Sequence, residues 1–128
     1  MKIIGIGVDI VNNQRIKNSI KKKKFISRVF TKNEIVMSKN IKFKKNYYAK
    51  RYAAKESLVK AIGTGFRDGL NFKDIEILND KLGKPYYIIS KKIKKFILKK
   101  KKIKNFYLFL SISDEKEYSI AFTIIQKK

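Results

Sequence analysis

Two hydrophobic periods organise the chain. Residues 3–11, IIGIGVDIV, alternate with a period of two, as a β-strand does. Ile4, Ile6, Val8 and Ile10 fall on one face; Ile3, Gly5, Gly7, Asp9 and Val11 fall on the other. That second face is nearly bare of side chains beside its only carboxylate. Glycine inside a strand marks close approach of another backbone or of a ligand. Packing against a helix accounts for the glycines but leaves Asp9 unexplained. The longest stretch of helix chemistry is Tyr47–Gly65, YYAKRYAAKESLVKAIGTG, with no Pro and no Gly before Gly63. Asn46 is placed to cap its start, and Gly63 to end it in a left-handed turn. At about 100° per residue, Tyr48, Tyr52, Ala54, Leu58, Val59 and Ile62 share a broad apolar face. Arg51 and Lys55 fall inside that face, and Glu56 lies at its border with Lys60 one turn on. Two readings fit: the cations snorkel at the rim of a core, or they hold an anion in a wet cleft. Glu56 and Lys60 read equally as an ordinary i,i+4 surface pair or as part of that cleft.

The rest of the pattern is shorter-ranged. Asn12 or Asn13 caps a short basic helix through about Ile20. Thr31 and Glu34 form a capping box that starts a helix through about Met37. Residues 39–45 read as a basic connector, and 66–72 as a glycine-punctuated loop. Strands are predicted over 74–78 and 86–90 around the turn containing Leu82-Gly83-Lys84-Pro85. A lysine-rich helix is predicted over 91–102, with Ile93, Phe96 and Ile97 at helical spacing. Alternation from Phe106 to Ser113, a turn at 114–117 and a strand over 118–125 make a terminal hairpin. This order gives a single α+β domain over residues 1–128 with an antiparallel sheet, without repeat or linker.

Composition narrows the chemistry. The chain contains no cysteine and no histidine. Disulfides, thiol nucleophiles and Cys- or His-based metal sites are excluded, leaving carboxylates and water for acid–base or metal work. No segment approaches the roughly 18 apolar residues of a membrane span, and no leader peptide is expected. The formal charge of +23 suggests a polyanionic partner. Yet only Arg15, Arg28, Arg51 and Arg67 are arginines, and the lysine runs lie among Ile, Asn, Tyr and Phe, which share A/T-rich codons with Lys. Compositional drift and selected electrostatics both fit.

Asp9 and Glu56 together suggest a reaction class. Two carboxylates on rigid elements suit Mg²⁺, a hard ion that keeps waters and takes substrate phosphates. Lys60, Arg51, Lys55 and the amides around Gly63-Thr64-Gly65 would supply the anion-binding half. That inventory serves attack at phosphorus.

The same residues carry a resemblance. GIGVDIV, RVFT with Glu34 three residues after Thr31, RYAAKESLVKAIGTGF, LGKP and SISDEKEYSIAFTII resemble the holo-[acyl-carrier-protein] synthases, the small bacterial 4′-phosphopantetheinyl transferases. The likeness runs from about Ile4 to Ile125. It implies a single-copy transferase fold, with a small antiparallel sheet packed on a long central helix. The implied activity is Mg²⁺-dependent transfer of 4′-phosphopantetheine from coenzyme A to a serine of apo-acyl-carrier protein, releasing adenosine 3′,5′-bisphosphate, in support of fatty acid biosynthesis. Asp9 and Glu56 match the metal ligands. Glu56 and Lys60 match the positions that handle the attacking hydroxyl and the phosphates. Arg51, Lys60, Gly63, Thr64, Gly65, Lys84, Pro85 and Ser113 match the nucleotide lining. Arg15, Lys24 and Arg28 fall on the basic region, read as the first helix, that resembles the carrier-docking surface. The resemblance further implies a cytoplasmic homotrimer with sites between subunits, and no membrane or specific nucleic-acid partner. Arg51 and Lys55 would then find their partners on a neighbour or on the ligand. One departure stands out: Asp114 occupies a position where many relatives carry His, and a carboxylate there would turn from a phosphate or pair with a lysine. The competing reading, a basic nucleic-acid-binding module associated with ribosomes, rests on charge alone and leaves Asp9 and Glu56 idle.

Overall fold

The computed structural model describes residues 1–67 and 69–128; Asp68, in the expected glycine-punctuated loop, lies outside the described residues. The chain runs β1 (Lys2–Asn12), α1 (Asn13–Ser19), α2 (Lys23–Val29), α3 (Lys32–Ser38) and α4 (Lys44–Ile62). A 3₁₀ turn at Phe72–Asp74 then leads into β2 (Ile75–Asn79), β3 (Pro85–Ile89), α5 (Lys91–Lys101), β4 (Phe106–Asp114) and β5 (Tyr118–Lys127). The α+β expectation holds, with the antiparallel pairing split between two sheets. β1, β5 and β4 form one in that order, and β2 and β3 form a separate hairpin.

The long helix is central. Residues on nearly every side of it are buried, including Tyr48, Ala53, Ala54, Leu58, Val59 and Ile62. Gly63 ends it at φ 94°, as its sequence position predicts. The start differs from expectation. The helix begins at Lys44, and the Asn46 side chain crosses instead to the β4–β5 turn, donating to Asp114 Oδ2 at 2.7 Å and Glu115 O at 3.1 Å. At the first helix Asn12 is the cap, its Oδ1 accepting from Arg15 N. Asn13 is buried and ties the same terminal turn, donating to Glu115 O at 2.9 Å and accepting from Ser119 Oγ at 2.7 Å. The capping box at Thr31 and Glu34 is present.

β1 packs on α4 through its glycine face. A Cβ on Gly7 would overlap the carbonyl oxygen of Ser57 and lie 2.7 Å from Ala61 N; one on Gly5 would overlap Ala61 O. These are backbone atoms of a helix and cannot yield as a flexible side chain would. The glycines therefore let α4 lie directly on the sheet. Gly7→Ala is expected to cost about 1–3 kcal/mol or more through overpacking, read as a lower urea midpoint at unchanged m-value.

The opposite face of the sheet turns its apolar residues outward. Ile6, Val8 and Ile10 on β1 are 53 to 59% exposed, and Phe109, Ile120 and Phe122 join them from β4 and β5. A register irregularity between Ile3 and Gly5 breaks the alternation at the start of β1. Ile3 is consequently exposed, and Ile4 packs against the core instead of joining Ile6, Val8 and Ile10.

Candidate active site

α4 presents different chemistry on neighbouring faces. Tyr52, Glu56 and Lys60 recur every four residues and form its partly open stripe. Asp9 faces that stripe, because the glycine contacts bring β1 against the helix there. Lys60 Nζ donates to Asp9 Oδ1 at 3.0 Å and to the carbonyl of Val8 at 3.1 Å. Lys60 is thus engaged with β1, and no Glu56–Lys60 ion pair forms among the described residues. Burial pushes the Glu56 pKa up, and the nearby Asp9 charge pushes it further; Tyr52, Lys60 and Arg15 act in the opposite direction. The structure therefore brings Asp9, Glu56 and Lys60 together and adds two residues to the cluster. Tyr52 stands one turn before Glu56 on the stripe and raises its tendency to ionise, and the Arg15 charge on α1 acts in the same direction.

Asp9 and Glu56 fit a hard divalent cation. They are two oxygen donors on rigid elements, near enough for one charge to hinder ionisation of the other, so a cation between them relieves an existing repulsion. Among the described residues no group of three or more acidic, Cys or His side chains forms a fuller cage. Two protein carboxylates suit Mg²⁺, which completes its shell with water and phosphate oxygens.

Gly63, Thr64 and Gly65 line a small concavity just beyond the end of α4, together with Arg67 and Lys100. Gly65 has φ 66°, so two residues of this three-residue turn adopt left-handed conformations. The lysine from α5 had no signal in the sequence, because its proximity to this turn is purely tertiary.

A larger pocket of about 910 Å³ opens elsewhere, at the N-terminal half of α4. Its apolar wall includes Ile41, Phe43, Ile77, Pro85 and Ile112, and its cations are Lys42, Lys45, Lys50, Arg51 and Lys116. Arg51 is 5% exposed. Its guanidinium stacks 3.7 Å from the Tyr47 ring centroid and donates to Asn79 Oδ1 at 2.8 Å, while its Nε has no partner. Burial lowers the Arg51 pKa and pushes that of Tyr47 up to about 12. A buried cation beside several lysines, with no carboxylate partner among the described ion pairs, makes this wall attractive to an anion. Asp114 also lines the pocket. Its partner is the Asn46 amide rather than one of the surrounding lysines.

Lys55 lies elsewhere. It is fully buried, and its ammonium is 2.6 Å from Glu34 Oε1 and 2.7 Å from the carbonyl of Val29. It therefore finds its counter-ion within the chain and does not contribute to an open anion cleft. The capping-box spacing identifies Glu34 as a local cap but gives no sign of this second, long-range partner.

The remaining positions are dispersed. Pro85 lies in the large pocket, while Lys84 is exposed at the turn before it. Ser113 is exposed and in phase with Tyr107, Phe109 and Ser111, on the sheet face turned away from α4. Arg15 belongs to α1, whereas Lys24 and Arg28 belong to α2; all three are exposed, on two short helices instead of one.

With this geometry in hand, comparison with known proteins is specific. Residues 5–123 match the family model of the 4′-phosphopantetheinyl transferase superfamily. A holo-[acyl-carrier-protein] synthase of Pelagibacter ubique is 60% identical over 128 residues, covering all of both chains. Among solved structures, a holo-[acyl-carrier-protein] synthase from Neisseria meningitidis superposes with a TM-score of 0.87 at 38% identity, covering 98% of this chain and 100% of that one. The Bacillus anthracis synthase in complex with CoA (3′,5′-ADP) gives 0.82 at 35% identity, with 98% of each chain covered.

Proposed function

The chain belongs to the 4′-phosphopantetheinyl transferase superfamily, and from that membership we propose that it transfers 4′-phosphopantetheine from coenzyme A to a serine of an apo-acyl-carrier protein. The observation that carries the reading is the meeting of Asp9, Glu56 and Lys60 where β1 lies on α4. In the reaction the serine hydroxyl oxygen bonds to the phosphorus bearing pantetheine. The bond from that phosphorus to the bridging oxygen of the pyrophosphate breaks, and adenosine 3′,5′-bisphosphate leaves with the electron pair.

Asp9 and Glu56 are the residues that would hold Mg²⁺, which supplies charge neutralisation of the pyrophosphate when bound. Glu56 is also the carboxylate that would accept the serine proton; burial and Asp9 raise its pKa in the metal-free protein, and a bound cation would draw it back down. Lys60, anchored by Asp9 and Val8 O, places an ammonium where negative charge builds on the departing phosphate. The turn at Gly63–Gly65, with Arg67 and Lys100, extends that positive surface beyond the helix end.

Arg51, Pro85 and Lys84 form the other half of the site in this reading, contributed across a subunit boundary. α4 directs Arg51 and Glu56 to different sides, so one chain does not close both halves around a single ligand. A homotrimer would supply the second half from a neighbour, with the apolar faces of β1, β5 and β4 packed together and Ser113 on that inner side. No described helix is long and apolar enough to cross a membrane, and the reading places the enzyme in the cytoplasm, feeding fatty acid synthesis.

The direct test incubates the protein with coenzyme A, Mg²⁺ and an apo-carrier and weighs the carrier. A gain of one phosphopantetheine that requires the protein, coenzyme A and Mg²⁺ is expected; an unmodified carrier at equimolar enzyme overturns the reading.

Docking of an acidic carrier should be carried by Arg15, whose charge acts on Glu56, with Lys24 and Arg28 exposed on α2. Charges beyond about 8 Å are largely screened at physiological salt. Arg15→Ala/Lys24→Ala is therefore expected to raise the KM for carrier several-fold, with the effect shrinking across a salt series. Lys94→Ala/Lys95→Ala on the exposed side of α5 should leave it nearly unchanged. Equal effects would mean that the charge acts as a diffuse field.

A further inference from the structure

The geometry points to Glu34 and Lys55 as a positioning pair that fixes the wall of the large pocket against α4 and thereby sets nucleotide affinity without touching the nucleotide. This inference rests on the transferase reading, in which that pocket receives the nucleotide end of coenzyme A.

Both residues are fully buried, and their contacts run to four separate elements. Lys55 Nζ bonds to Glu34 and to the carbonyl of Val29 at the end of α2. Glu34 Oε1 also accepts from Thr31 N at 2.9 Å, and Oε2 accepts from Ile77 N on β2 at 3.0 Å. The carbonyl of Glu34 accepts from the Tyr47 hydroxyl on α4 at 2.5 Å. One ion pair thus ties α2, α3, α4 and β2 to a common point.

Three of those elements line the pocket, α3 through Met37 together with α4 and β2, while Pro85 on β3 and Ile112 and Asp114 on β4 complete the wall. Tyr47 and Ile77, each hydrogen-bonded to Glu34, both line it. Arg51 lies one turn before Lys55 on the same side of α4, and Asn79 lies two residues beyond Ile77 on the same face of β2. The Arg51–Asn79 hydrogen bond joins helix and hairpin at the pocket wall, and one turn further along α4 the Tyr87 hydroxyl on β3 donates to the carbonyl of Ala54 at 2.6 Å. A slide or rotation between α4 and β2 would part Arg51 from Asn79. The Asp9–Glu56–Lys60 cluster is held by other means, namely the glycine contacts and the Lys60 bonds to β1.

Stability alone does not call for an ion pair here. Well-packed apolar residues of similar volume usually hold a core as well as a buried pair or better. What an apolar replacement lacks is direction: the Ile77 amide and the Val29 carbonyl each require a partner at one place. The pair is accordingly assigned to geometry.

The test uses the double variant Glu34→Gln/Lys55→Met, which removes both charges and keeps an acceptor for Ile77 N. Lys55→Met alone leaves Glu34 buried without its counter-ion and serves as the destabilised reference, with Tm recorded for each. Binding of 3′,5′-ADP is measured by calorimetry, and binding of Mn²⁺, as a spectroscopic substitute for Mg²⁺, by EPR. The double variant is expected to bind 3′,5′-ADP about tenfold more weakly, a size typical of lost support behind a binding residue, with Mn²⁺ affinity within about twofold of wild type. The KM for coenzyme A should rise in parallel while kcat changes little. Unchanged 3′,5′-ADP affinity in a variant with lowered Tm would make the pair merely structural and overturn the proposal. Equal losses for nucleotide and metal would overturn it too, as general loosening. If the wild-type protein bound no 3′,5′-ADP, the transferase reading itself would fail, an outcome visible before any variant is made.

Discussion

Replacing Asp9 by Asn, or Glu56 by Gln, is expected to lower phosphopantetheine transfer at least about a hundredfold while the protein stays folded. Each change keeps the shape of the side chain and removes the charge that would face Mg²⁺. Asp9 is only partly buried and Glu56 lies on the open stripe of α4, so neither substitution strips the core. Near-normal turnover of either variant at limiting Mg²⁺ would remove the two-carboxylate site. The pair carries a second signature in metal-free protein. Burial first, and Asp9 second, raise the Glu56 pKa. Ionising Glu56 therefore opposes folding: the stability its neutral form contributes is present at low pH and fades as pH rises through the raised value. Asp9→Asn removes the second cause, so the Glu56 carboxyl carbon should titrate at lower pH by NMR in the variant than in the wild type. An unchanged titration would show that the two groups do not share a site.

The other large effect concerns assembly. Val8→Glu or Phe122→Glu should convert the proposed trimer to monomers at micromolar concentration and abolish most of the transfer activity. Both side chains point away from α4, at 53% and 39% exposure, so the monomer fold has room for a carboxylate at either position. The subunit interface does not, because three introduced charges would be desolvated against Ile6, Ile10 and Ile120 of neighbouring copies. Light scattering alongside the carrier assay decides the matter. An active wild-type monomer would remove both the trimer and the shared site, and a Val8→Glu trimer would move the interface elsewhere.

Strand periods were legible in β1 and the terminal hairpin, where the two faces differ. α4, buried on nearly every side, was legible through its unbroken run of helix-forming residues and through Gly63, which ends it where its position demands. The fine structure of the site depended on distances the sequence does not encode. Glu56 and Lys60 have the spacing of a surface pair, yet Lys60 turns to Asp9, fifty-one residues away in sequence. Lys55 and Arg51 are one turn apart and looked equivalent. One is neutralised by Glu34 and the other faces a pocket, a distinction set by which element packs where. Glu34 itself satisfied a local motif completely, which concealed its long-range partner. Asn46 resembled a helix cap because caps depend on nearby sequence, whereas its actual role depends on a turn that returns sixty-eight residues later.

The packing of β1 also determines which genetic changes this protein can absorb. Its inward residues Gly7 and Asp9 serve the helix and the chemistry, while Ile6, Val8 and Ile10 between and around them face the other way. Apolar exchanges at the outward positions leave that arrangement intact. Inserting or deleting one residue between Gly7 and Asp9 does not, since every side chain beyond the change inverts. The carboxylate would be carried to the apolar face, and a branched side chain would be driven toward the carbonyls of α4. Length variation in this strand should therefore be confined to the stretch before Gly5, where an irregular register already lies between Ile3 and Gly5.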